Sequence, residues 1–171
     1  MSQPVIAGSE QFEVVKQDFE ERERRREWNR GPLQDLFPRI PQAALERVLD
    51  ICIVKNFTYN LSQPKVWNAR RFSSIVVAHV RHTYSDYDKL WHAEGVERFE
   101  ARKRTGPQVL KLLKQWSPWS SSNEVLERCF QATLLRPEER DPEWDPMDLD
   151  EDETEALPSQ FYYEPEPMDL S

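Results

Sequence analysis

Apolar residues recur at helical spacing along most of this chain. Within Glu10–Trp28, Phe12, Val15 and Phe19 stand at i, i+3 and i+7 and are followed by dense charge. The spacing predicts a solvated helix with a thin apolar stripe at its start. Asp18–Arg22, Glu20–Arg24 and Glu21–Arg25 are acid-before-base pairs one turn apart, which support such a helix. Arg30-Gly31-Pro32 is expected to stop it.

Pro41 suits the first turn of a second helix, where a missing N–H costs nothing. Leu45, Val48, Leu49 and Cys52 form its apolar face. Phe57–Pro64 has no apolar period and reads as a loop. Val66, Ala69, Phe72, Val76 and Val80 then repeat at helical spacing, with Ile75 widening the stripe, from about Val66 to about His82. The β-branched run Ile75-Val76-Val77 favours a strand locally, but the sustained period favours helix. Ser85 suits the N-cap of a short helix starting at Asp86, with Asp86 and Asp88 near its positive end.

Val96–Arg104 is a weakly amphipathic helix, which Gly106-Pro107 breaks, kinks or restarts. Val109, Leu112, Leu113 and Trp116 make a clean apolar face. Ser121-Ser122-Asn123-Glu124 is a capping-box pattern. It opens a last helix with Leu126, Cys129, Phe130 and Thr133. The expected fold is therefore all-α: a small bundle of about four to six helices, with a charged N-terminal helix and a disordered acidic tail. The expected divisions are residues 1–31, 32–135 and 136–171.

Charge sharpens that division. Residues 136–171 hold 14 acidic and 2 basic side chains, a net of −12, whereas residues 31–128 hold 15 basic and 10 acidic, a net of +5. An overall charge of −8 thus hides a basic globular segment. Its candidate partner-binding residues are Arg70, Arg71, Arg81, Arg98, Arg102, Lys103, Arg104, Lys111 and Lys114. Gathered on one side they would suit phosphates or an acidic protein, with Trp67, Tyr84 or Trp91 available to stack on bases. The other reading is an ordinary solvated helix surface. Cys52 and Cys129 lie on apolar faces and read as buried thiols. The start lacks a signal-peptide pattern and no apolar run would span a bilayer. An intracellular protein, nuclear or cytoplasmic, with no membrane association is expected.

Residues 78–90 crowd histidine, arginine, tyrosine and aspartate together. On a helix Phe72, Ile75, His79 and His82 continue one stripe, and Arg70, Ser74, Val77 and Arg81 lie on another side. The main expectation is a structural network of His79, His82, Asp86, Tyr87 and Asp88 that locks a helix–turn–helix corner. No catalytic residue and no cofactor is expected. The alternative is a metal-dependent enzyme with His79, His82 and Asp86 as ligands. A third is a structural subunit with Trp67, Trp91 and Trp119 on a protein-binding surface.

Leu36-Phe37-Pro38-Arg39-Ile40-Pro41, the run from Val77 to Leu90, Glu100-Ala101-Arg102 and the helix ending at Trp116 resemble the domain-of-unknown-function family 2293. This is a family of filamentous fungi that also occurs in bacteria. The resemblance covers about residues 33–117 and implies a small helical domain with no established activity. Members carry a Gly-Arg-Val-Gly-Arg-like turn where this chain has Phe57–Val66, with no glycine and one lysine. In the tail, Pro146-Met147-Asp148-Leu149 recurs as Pro167-Met168-Asp169-Leu170. With Ser171 the second copy is similar to the peptide recognised by C-terminal-binding-protein corepressors. The tail is read as regulatory or partner-recruiting.

Overall fold

The structure, a computed structural model, describes the backbone of residues 3–118 and 123–142 and the side chains of residues 15–118 and 123–142. It is all-α, with no strand among the described residues. Five α-helices follow in order: α1 (Gln3–Leu36), α2 (Gln42–Val54), α3 (Lys65–Tyr84), α4 (Arg98–Trp116) and α5 (Glu124–Thr133). A π turn (Lys89–Ala93) precedes α4, and a 3₁₀ turn (Pro137–Glu139) follows α5.

α3 is the packing axis. It touches α2, α4 and α5, and every residue from Phe72 to Arg81 is buried. Phe72, Ile75, Val76, Val77 and Val80 join Val48, Leu49, Val109, Leu113, Leu126 and Phe130 in one core. Each large side chain there contributes about 1.5–3 kcal/mol by leaving water. α2 stops in a Schellman motif: Asn56 takes φ 57°, its N–H reaches Ile53 O at 2.9 Å, and Phe57 N–H reaches Cys52 O at 2.8 Å. Asparagine tolerates this left-handed geometry.

α1 does not stop at Arg30-Gly31-Pro32 but runs on to Leu36. Pro32 removes the N–H that would pair with the Trp28 carbonyl. Two features offset that loss. Gly31 has no Cβ to collide with the proline ring, and Leu33 and Phe37, just beyond, are fully buried. The N-terminal part of α1 keeps Val15 and Phe19 exposed, as its thin stripe predicts. Its charges pair differently from the expected set: Glu21 takes Arg24, while Arg25 turns to Thr58 and Asn56. Arg26 bridges Glu46 and Asp50, and Arg30 bridges Glu27 and Glu46, so guanidinium groups clamp α1 to α2. The Arg30 bond holds the Glu46 carboxyl below its ordinary range, whereas burial raises that of Asp50.

Gly106-Pro107 likewise sits inside a single helix, α4. The Glu97 carboxylate caps that helix by accepting the Glu100 N–H at 3.1 Å. Asn123 stands at the start of α5 and donates to Ser117 Oγ at 2.5 Å. Ser121 and Ser122, the other members of the expected cap, lie outside the described residues.

Candidate interaction surface

The polar corner between α3 and the π turn separates its two histidines. His82 Nδ1 meets Asp88 Oδ1 at 2.7 Å, which ties the end of α3 to the turn. Tyr87 is fully buried, with its ring edge-on to His82 at 5.4 Å and tilted against Trp91 at 5.5 Å. Ser85 caps both ways, donating to Arg81 O at 2.6 Å and accepting the Tyr87 N–H at 3.2 Å. Asp86 is exposed, and its backbone carbonyl accepts the Leu90 N–H.

His79 instead points into the core. Its Nδ1 lies 3.4 Å from Thr83 Oγ1, its ring is edge-on to Tyr84, and its Nε2 is buried with no partner. Burial, with the nearby Arg47 and His82 charges, pulls its pKa down to about 3. The alternative metal set His79, His82 and Asp86 does not converge. Among the described residues no three His, Cys, Asp or Glu side chains stand close enough to hold an ion. Cys52 and Cys129 are buried free thiols, with burial pushing their pKa values up to about 12 and about 11.

The nine basic candidates do not share one face. Arg81 was expected to point away with Arg70 but is buried against the Tyr87 ring, its guanidinium 5.3 Å from the centroid. Arg102 is 1 % exposed and donates to Thr133 O at 2.9 Å. Both misplacements have one cause. A stripe argument supposes a helix packed on one side, whereas α3 is enclosed on several sides and α4 is covered by α5 along the Arg102 edge. Arg70 and Arg71 are half-buried, and Arg71 lies over Phe57 and Trp67. Arg98 is half-buried over Trp91 and Phe99.

Lys103, Arg104, Lys111 and Lys114 are the four that stay exposed. At about 100° per residue they fall within one arc of α4, shared with a single acid, Glu100. Arg104 Nε donates to that Glu100 at 3.1 Å.

A family model described as "Uncharacterized conserved protein (DUF2293)" matches residues 32–117, half of the chain. The chain belongs to the DUF2293 family. No curated protein and no solved structure matches it. The DUF2293 segment holds the whole polar corner and the basic arc of α4. It also holds Phe57–Val66, which walls a groove of about 460 Å³ with Trp28, Leu36, Tyr59, Leu61, Lys65 and Phe72 among its lining residues.

Two asparagines fix that wall and escaped the sequence pattern. Asn29, fully buried, donates to Phe57 O and accepts the Tyr59 N–H. Asn68, fully buried, accepts the Asn60 N–H and donates to Asn60 O and Pro64 O. For Asn68 alone a polar residue inside the apolar stripe of α3 was an available signal.

Beyond the DUF2293 segment, α5 and residues 136–142 also belong to the packed unit. Arg140 is 7 % exposed and donates to Ala132 O and Leu135 O at 2.9 and 3.0 Å. Trp119, both Pro-Met-Asp-Leu repeats and the motif Pro167, Met168, Asp169, Leu170 and Ser171 lie outside the described residues. No helix among the described residues is long and apolar enough to cross a membrane.

Proposed function

We propose that this DUF2293 chain is a non-enzymatic helical module that binds a polyanion along the outward arc of α4. One observation carries the reading: Lys103, Arg104, Lys111 and Lys114 are exposed together beside one acid on a helix whose other side is locked into the core. Phe99, Ala101, Val109, Leu113 and Trp116 are that locked side, so the charges are held in register. From residue 103 to residue 114 the helix rises about 16 Å. That length matches about five phosphates of one duplex strand at ~3.4 Å each. A nucleic-acid backbone is therefore the partner the spacing favours, and an acidic protein is the competing one.

The test is binding of duplex DNA, duplex RNA and polyglutamate over a salt series. The full chain is compared with a chain ending at Pro142, because Arg136 and Arg140 pack on the bundle and an earlier cut would damage it. About three phosphate contacts would weaken affinity ~40-fold between 50 and 200 mM salt. Lys103→Glu with Lys111→Glu is expected to abolish binding. Absence of binding by either chain at 50 mM salt sinks the reading, and so does indifference to the double substitution. Tighter binding of polyglutamate than of either duplex assigns the arc to an acidic protein.

A further inference from the structure

Two apolar surfaces of this chain are left open, and they suit one another. The first is on α1. Val15 and Phe19 are 65 % and 62 % exposed, and every side chain from Val15 to Arg24 is exposed. At about 100° per residue these two share the face of α1 that carries Arg26 and Leu33. Further along, that face packs on α2 through the Arg26–Asp50 pair and the Leu33 side chain. The stripe is therefore the α1–α2 seam carried on past the end of α2. Most helical stability comes from packing such a face, and here it meets water.

The second surface is the groove of about 460 Å³. Trp28 and Leu61 on its rim are 51 % and 75 % exposed, and buried Phe72 lies among its lining. Its charged lining residues are Asp35 on α1 and Lys65 at the start of α3, both exposed. An apolar groove of this kind takes the apolar face of a helix, with anchors one turn apart. The two charges select a helix with a base on one flank of its stripe and an acid on the other. α1 itself has that form: Lys16 and Asp18 fall on the two flanks of the Val15–Phe19 stripe.

The pairing must be between copies. α1 is one helix from Gln3 to Leu36, so its stripe cannot fold back onto the groove of its own chain. Phe19 and Trp28 are nine residues apart and stand on opposite sides of that helix. A two-fold pair therefore cannot seat both stripes, and the contact repeats head to tail.

We propose that the Val15–Phe19 segment of one copy seats in the groove of the next, with Lys16 towards Asp35 and Asp18 towards Lys65. The chain is then a self-assembling unit with one donor helix and one acceptor groove. The contact uses none of the basic arc of α4, and it stands or falls separately from polyanion binding.

The experiment is sedimentation of the full chain in a concentration series. A contact this small belongs to the weak class, so the series runs to about 300 µM. The mass is expected to rise past that of a dimer. Val15→Gln with Phe19→Gln, both exposed, leaves a monomer. So does Asp35→Lys with Lys65→Glu in the groove. Mixing these two variants gives a dimer and nothing larger, because each brings one half of a single contact. Misfolded variants could not complement in this way. Adding Lys16→Glu and Asp18→Lys to the groove variant restores assembly, and Lys103→Glu with Lys111→Glu leaves it unchanged. A monomer at every concentration overturns the proposal. So does a groove variant that still dimerises, which assigns the stripe to a two-fold pair with itself, or a stripe variant that still assembles. Variants that fail to pair when mixed, charge reversals that fail to restore assembly, or assembly lost with the α4 substitutions overturn it equally.

Discussion

His79 shows how a polar side chain can stabilise a core only while it stays neutral. Its pKa falls from 6.5 to about 3 on burial. Between those values the unfolded chain binds a proton that the folded chain does not. Stability therefore rises with pH through this window and is fully present above about 6.5, with a slope of up to ~1.4 kcal/mol per pH unit from this residue. Urea melts at pH 4.5, 5.5 and 7 should show that slope, and His79→Gln should flatten it. Glu46 and Glu97, held below their ordinary range, lose stability in the same direction but at lower pH. Asn68 makes the complementary case. Its three bonds hold the 57–64 loop against α3, so Asn68→Ala should cost about 1–3 kcal/mol in a thermal melt by orphaning buried backbone groups. Of the expected corner, His79 meets Thr83 and Tyr84 instead, but the His82–Asp88 pair was legible from residue types because the two lie six residues apart across the turn. Asn29 was not: its partners are some thirty residues away, and nothing local marks it.

At the scale of elements, the five helices were legible from apolar period, and their ends were not. Gly31-Pro32 read as a stop and Gly106-Pro107 as a break, kink or restart, yet both doublets lie inside helices. In each, glycine removes the Cβ that would meet the proline ring, and tertiary burial supplies what the lost hydrogen bond does not. Gly106 sharpens the point. A Cβ there would meet Leu134 and Phe130 at 3.6 and 3.7 Å, ordinary contact, so space is not the constraint. Gly106→Ala should lower the melting temperature while Pro107 is present. In a Pro107→Ala background the same change should add about 0.5–1 kcal/mol, the usual helical gain of alanine over glycine. Additive effects in that cycle would refute a role for glycine in passing the proline. The outward direction of Arg81 failed for a different reason. A helix enclosed on several sides has no outer stripe, and the amphipathic pattern of α3 hides how many neighbours it has.

For the whole molecule, the family match and the physical unit differ. The match ends at residue 117, while Leu126 and Phe130 of α5 share the core with α3. A chain ending at residue 118 should expose the Arg70–Ser74 face of α3, on which Cys129 of α5 packs, bind a hydrophobic dye and melt without cooperativity. A chain ending at Pro142 should melt cooperatively. Separation of charge along the chain was plain in the sequence. The place where the basic part stops was not, because Arg136 and Arg140 sit among acids and resemble the tail in composition.

The ends of the matched segment meet in space. Ser117 Oγ donates to Leu36 O at 2.8 Å, and Arg39 N–H donates to Trp116 O at 2.9 Å. Chains whose entry and exit lie side by side are the ones that tolerate insertion into a loop of another protein. This knot therefore makes residues 32–117 a cassette in geometry, although one that must bring its own α5 or find a substitute helix in its host.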